Sequence, residues 1–165
     1  MDYSTLITTF SNESFGTDFL FDPRAIVSTL PDNIFLIIQE VVYTDTKDSK
    51  IVVPINYREY SRIMNKPYKQ PLKNQAWRMF QNDTEGKLVV EIIPRATDVI
   101  KKYVVRYIRR PVPIILNNLT DGLNINGINT TSECELDPIV HRDILDRAVM
   151  MAKIAYQTVQ PKENK

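Results

Sequence analysis

One cysteine, one histidine and four glycines in 165 residues each close a route to function. A single thiol, Cys134, excludes an intramolecular disulfide and a Cys-rich metal site. Scarce glycine, set against ten prolines, argues against Gly-rich phosphate loops and for stiffened, extended connections. Charge of one sign is lacking too. The 21 basic and 20 acidic residues leave a formal net charge of +1, so no global field directs the chain to DNA, RNA or a membrane surface. No apolar run approaches the length that spans a bilayer, and the amino terminus lacks the basic start and apolar core of a secretory signal. No membrane partner and no secretory leader are therefore expected. Without secretion, the Asn-x-Ser/Thr triplets at Asn12, Asn82, Asn118 and Asn129 carry no weight.

What is present is β-type sequence. Tyr103, Val105 and Tyr107 alternate with Val104, Arg106 and Ile108 at the two-residue strand period. Pro111 and Pro113 bend or end that run before Ile114–Leu116. Ile34–Tyr43 is the most β-prone stretch, with Ile51–Ile55 as its hairpin partner across the polar TDTKDSK loop. Its alternation leaves both faces apolar, which requires burial somewhere. If it lies at a sheet edge, a neighbour's strand or amino-terminal arm is the expected pairing partner. Ala76–Gln81 and Leu88–Ile93 read as strands joined by an NDTEGK turn. Asp121-Gly122 and Asn126-Gly127 are tight-turn dipeptides, with Leu123 and Ile125 on a short return strand between them.

Two helices complete the pattern. Tyr57, Tyr60, Ile63 and Met64 share one face of a short middle helix that Asn65 and Pro67 stop. A longer carboxy-terminal helix opens with Asp137 as N-cap and Pro138 in the first turn. Its stripe of Val140, Ile144, Ala148, Met151 and Ala155, widened by Leu145, Val149, Ala152 and Tyr156, predicts apolar cover on nearly two sides, from a sheet or another helix. The expected class is α+β: a mostly antiparallel sheet of sequential hairpins, a short middle helix and a longer amphipathic carboxy-terminal helix. Residues 1–33 are weakly patterned and read as an arm packed on its own or a neighbouring subunit, with a short helix over Arg24–Leu30 after Asp22-Pro23. Residues 34–160 form a single α+β domain, and 161–165 a disordered tail.

Candidate chemistry is thin. His141 stands near a helix start with no serine–carboxylate set around it, and a surface or capping role suits it better than that of a base. Cys134 has no CxxC partner, and its neighbours Glu133 and Glu135 oppose the thiolate that a nucleophile needs. Asp143 and Asp146 adjoin Arg142 and Arg147, the composition of a solvated helix face. With no phosphate-loop, dinucleotide, zinc-protease or EF-hand spacing, neither an enzyme nor a cofactor or metal is expected.

The one basic cluster is Lys101, Lys102, Arg106, Arg109 and Arg110, interleaved with Tyr103 and Tyr107. On a strand, Lys102, Arg106 and Arg110 share a face. They are then a solvated face that discourages strand pairing, a phosphate-tracking row, or charges that meet an acidic patch on a partner subunit. The candidate partner or DNA contacts are Lys102, Arg106, Arg109 and Arg110.

Val52–Gln81 and Tyr103–Tyr156 carry a family resemblance. The Tyr57…Tyr60 pair, the Pro67-Tyr68…Pro71-Leu72…Ala76-Trp77-Arg78 run, Arg109-Arg110-Pro111 and the Cys134-Glu135-Leu136-Asp137-Pro138…His141 helix start resemble a virion ring protein of crAss-like bacteriophages, short-tailed phages of Bacteroides-type gut bacteria. The resemblance implies a structural protein made in the host bacterial cytoplasm. It implies a homo-oligomeric ring of this chain, matched to a twelve-fold portal, in the head-to-tail region. Portal and adjacent ring or tail proteins would be its neighbours, with non-specific DNA contact in the channel. A nucleic-acid-binding accessory protein using Lys101–Arg110 is the alternative, and a small enzyme resting on His141 and Cys134 a third reading.

Overall fold

The computed structural model describes residues 4–16, 22–63, 66 and 70–159. The expected tail at 161–165, the helix-stopping Asn65 and Pro67, and Phe19, Leu20 and Phe21 of the arm lie outside the described residues. The chain forms two compact units, Ile7–Arg110 and Met1–Leu6 with Pro111–Lys165.

The first unit is a seven-stranded sheet. Its strands are β1 (Ile7–Asn12), β2 (Ile26–Thr29), β3 (Ile34–Thr44), β4 (Ser49–Pro54), β5 (Gln75–Asn82), β6 (Leu88–Ile93) and β7 (Ile100–Arg109), in the order β1-β7-β3-β4-β5-β6-β2. Neighbours are antiparallel except β4 and β5, which run parallel. That pair is joined through α1 (Tyr57–Ile63), as a parallel pair requires a crossover. Asn56 opens α1 with a reciprocal cap: its Oδ1 accepts from the Glu59 N–H at 2.8 Å, while Glu59 Oε2 accepts from the Asn56 N–H at 3.2 Å. The sheet is therefore not a run of sequential hairpins. β7 leaves β6 and inserts between β3 and β1, where its backbone pairs on both sides and its alternating Tyr103, Val105 and Tyr107 point into the core.

The predicted helix over Arg24–Leu30 is instead strand β2. Its β-branched residues pair with β6 over Ile26–Thr29, and Arg24 folds back onto Asp22. β1 and β2 are the outermost strands, yet they meet. Gly16 and Val27 exchange backbone bonds of 2.9 and 3.1 Å, and Asn12 Nδ2 donates to Ser28 Oγ at 2.7 Å. The sheet thus curls on itself, which covers two otherwise open edges. Val42, Val52, Ala76, Val90, Ile92, Tyr103, Val105 and Tyr107 pack in its interior. A second cluster of Ala25, Tyr60, Met79 and Ile93 lies under α1, so β6 is buried on both faces.

In the second unit the chain turns back on itself. Ile115 and Ser132 exchange bonds of 3.1 and 2.9 Å, the Leu119 N–H donates to the Asn129 carbonyl at 2.8 Å, and Ile125 and Ile128 pair around Asn126-Gly127. Both turn residues have left-handed φ, 52° and 81°, as a two-residue hairpin turn demands. The expected return strand at Leu123 and Ile125 reduces to this single bridge. Two turns five residues apart leave no length for a ladder. At the base of this turned-back segment, Glu135 Oε2 accepts from the Val112 N–H at 2.9 Å. Asp137 then caps a 3-10 turn (Pro138–Val140) by accepting from the Ile139 N–H at 2.9 Å, and α2 (His141–Val159) follows.

Candidate assembly surfaces

α2 carries its apolar residues in the open. Every residue from Leu145 to Tyr156 is exposed, with Leu145 at 63% and Met151 at 62%. The cover predicted for two sides of this helix is absent among the described residues. A stripe suited to burial thus faces solvent in the single chain.

On β7 the outward parity carries Lys102, Val104 and Arg106. Arg106 is exposed and lies in register between Thr9 of β1 and Gln39 of β3. Lys102 is half-buried and its Nζ donates to Glu13 Oε1 at 2.8 Å, so its charge is matched locally. Arg109 is half-buried at the strand end. Arg110 is exposed just beyond it, where its N–H donates to the Asn33 carbonyl at 2.7 Å. The strand brings Lys102 and Arg106 to one face and carries Arg110 past its end.

β3 holds a feature that its sequence concealed. Its pairing with β7 shifts register between Ile34 and Leu36 and again between Ile37 and Gln39, so Phe35 and Ile38 are bulged. Bulges re-aim side chains, and Phe35 is 65% exposed with Leu36 and Ile38 close behind. On its other side β3 pairs with β4 only over Val41–Tyr43. The two strands then part, and a groove of about 340 Å³ opens between them, lined by Ile37, Ile38, Gln39, Ile51, Pro54 and Arg78 among others. Glu40 and Arg78 form its polar floor. Arg78 Nε meets Glu40 Oε2 at 2.5 Å, Tyr103 O–H donates to Glu40 Oε1, and the Arg78 guanidinium lies 3.9 Å from the centre of the Phe80 ring. Burial pushes the Glu40 carboxyl up, against the opposing pull of Tyr103 and Arg78. Burial and the adjacent Glu40 raise the Tyr103 hydroxyl as well.

A second buried network stands under α1. Asp22 accepts from the Arg24 side chain and from Tyr60 O–H at 2.9 Å, while its own N–H donates to Glu91 Oε1 at 3.2 Å. Burial pushes the Asp22 carboxyl up, but the bonds from Arg24 and Tyr60 outweigh it and hold it below the usual range. Tyr60 is pushed up to about 12 by burial and by Asp22.

The residues weighed for chemistry have only local roles. His141 Nε2 donates to the Leu136 carbonyl at 2.9 Å, a local helix-start bond, and Cys134 is a half-buried free thiol. A hollow of about 720 Å³ near the β1–β2 meeting is lined by Phe10, Asn12, Val27, Gln81 and Asp83 among others, with no nucleophile–base pair. Among the described residues, no group of three or more acidic, His or Cys side chains is placed to hold a metal ion. No described helix is long and apolar enough to cross a membrane.

The distinctive features of both units are surfaces, and the comparisons name their class: a structural ring protein of a phage virion. The family described as phage tail ring protein 3/4 matches residues 1–164. The chain is 49% identical to Ring protein 4/5 of Bacteroides phage crAss001 over 140 residues, 83% of this chain and 58% of that protein. It is 36% identical to Ring protein 3 of the same phage over 162 residues, 92% of this chain and 67% of that protein. The chain belongs to the phage tail ring protein 3/4 family. It spans a little over half the length of the first of these relatives.

Proposed function

We propose that copies of this chain close into a cyclic ring in the head-to-tail region of the virion, beneath the portal, where the ring lines or sheathes the DNA channel. Twelve subunits would match the portal. The observation that carries this reading is α2, whose apolar residues are exposed from Leu145 to Tyr156 in the single chain. Ordinary monomers keep exposed apolar patches to a few hundred Å². Leu145, Val149, Met150 and Met151, with Ile139 before the helix, are all exposed. A subunit contact of roughly 800 Å² per partner removes such a surface from water. A ring contact is heterologous, so α2 needs a different, complementary face on its neighbour, and exposed Phe35 and Leu36 at the β3 bulge provide an apolar one.

In this ring Lys102, Arg106, Arg109 and Arg110 face a neighbouring protein or the DNA in the channel. The Lys102–Glu13 pair favours an interface role, since it leaves less free charge to track phosphates. Cryo-electron microscopy of the virion tests the proposal. The expected result is a closed ring of this chain coaxial with the portal. Particles that lack it overturn the reading and turn attention to DNA binding, whose mark is an affinity that falls steeply with salt.

A further inference from the structure

We propose that α2 of one copy packs across the outer face of β1, β7 and β3 of the next copy, with Asp146 paired to Arg106. This rests on the ring reading and assigns one contact within it. The backbone of β7 is paired on both sides, to β1 and to β3, so this face offers a partner only side chains. An added strand finds no backbone to bond there. A helix needs none, because its own backbone is already paired.

The outward parity sets Arg106 between the apolar pairs Ile108–Leu36 and Val104–Val41. Leu36 is 54% exposed, and Ile7 on the other side of Ile108 is 45% exposed. Arg106 lines a hollow of about 200 Å³ with Thr9, Gln39, Val41, Tyr43 and Val104. Among the described residues no carboxylate pairs with its guanidinium, whereas Lys102 is already matched by Glu13. An unmatched cation walled by aliphatic side chains calls for a carboxylate carried on an apolar surface.

α2 is such a surface. Asp146 shares a helix face with Val149 and Met150, and Leu145 lies beside it; all three apolar residues are exposed. Its one ion pair among the described residues is with Arg142 at 4.0 Å, and both side chains are largely exposed, so the carboxylate is available. Lys153 follows seven residues later on the same row, about 10 Å along the axis. On the sheet the Lys102–Glu13 pair lies four residues from Arg106, about 13 Å along β7. With Asp146 on Arg106, Lys153 reaches the exposed Glu13 carboxylate, its flexible stem covering the difference. The two pairs fix α2 antiparallel to β7. Opposite charges at matched spacing, on two different faces of one chain, are what a heterologous contact between copies requires.

The test exchanges the charges between copies. Arg106→Asp or Asp146→Arg, each made in place of the parent chain, should cut the yield of ring-bearing particles at least tenfold. Both positions are exposed, so the melting of the purified chains should stay unchanged. Chains with Arg106→Asp and chains with Asp146→Arg, made together, should restore the yield to within about twofold, since each offers the face that the other requires. Such a ring alternates, which an even number of subunits allows. Parental yield from either single variant overturns the proposal. Rescue only when both changes sit in one chain places the contact within the subunit and overturns it too, leaving the ring reading intact. No rescue by either combination means that Arg106 serves another partner, such as a DNA phosphate, and overturns it as well. Parent particles without a ring of this chain overturn both readings.

Discussion

The least ordinary residues in the fold are the buried charges, and their energetics follow from pairing. Glu40 and Arg78 are almost wholly out of water, so removing one partner leaves the other uncompensated. Arg78→Met should cost about 3–5 kcal/mol at neutral pH, measured by denaturant unfolding. Its sign with pH is fixed by Glu40, whose folded pKa is raised. Stability tied to a raised pKa is present below the unfolded value and lost as pH rises through the folded one, so the penalty of Arg78→Met should shrink on acidification as Glu40 takes up a proton. A penalty that grows with acidity would refute this. Asp22 runs the other way. Its folded pKa is lowered, so its contribution is present above the ordinary value of 3.8 and lost as pH falls through the folded value. Asp22→Asn should flatten that acid limb, as measured by unfolding at stepped pH. Neither network was legible in the sequence. Glu40 sits beside Gln39 in IFLIIQEVVY, an otherwise apolar strand, and nothing local says that Arg78, on another strand, will meet it. Strand order decides that, and strand order is a non-local property.

At the scale of elements, legibility followed local signals. The strands from β3 to β7, helix α1, the Asp137 cap and the turns at Gly86 and Gly127 all carry period, β-branching or cap residues within a few positions. β1 and β2 do not. ITTFSN and IVST are short and mixed, and they become strands because β7 and β6 offer edges to pair with. The β3 bulges and the groove beside β4 were hidden for a related reason, since a bulge is a mismatch between two strands and one strand alone cannot display it. α2 was legible as a helix, but the sequence could not say who covers it. A helix of 19 residues with exposed apolar faces draws little support from tertiary packing and is close to marginal alone. Its amides should therefore exchange with solvent faster than those of β6 in the dispersed chain, and become protected in particles. Equal protection in both states would mean that α2 gains nothing from assembly. Asp137→Ala should cost roughly 1 kcal/mol of helix stability, read as lost helical signal, because the Ile139 N–H loses its acceptor.

For the whole molecule, a cyclic heterologous contact makes every subunit indispensable, and that property counts the copies. A subunit with a ruined α2 face still docks through its other face but offers nothing to the next copy, so it ends the ring. Leu145→Asp with Met151→Asp should have this effect while leaving the sheet unit intact, since both side chains are exposed and lie in the other compact unit. When parent and variant are made together, the yield of closed rings falls as the parent fraction raised to the number of subunits. For a ring of twelve, one variant chain in ten leaves roughly 0.3 of the particles. The slope of log yield against log parent fraction then returns the subunit number without an image. A slope near twelve matches the portal, and a smaller whole number corrects the symmetry. A slope of zero shows that the variant assembles as well as the parent, with α2 outside the contact. That result would shift the burden of assembly to other exposed apolar residues, such as Phe35 and Leu36 of β3.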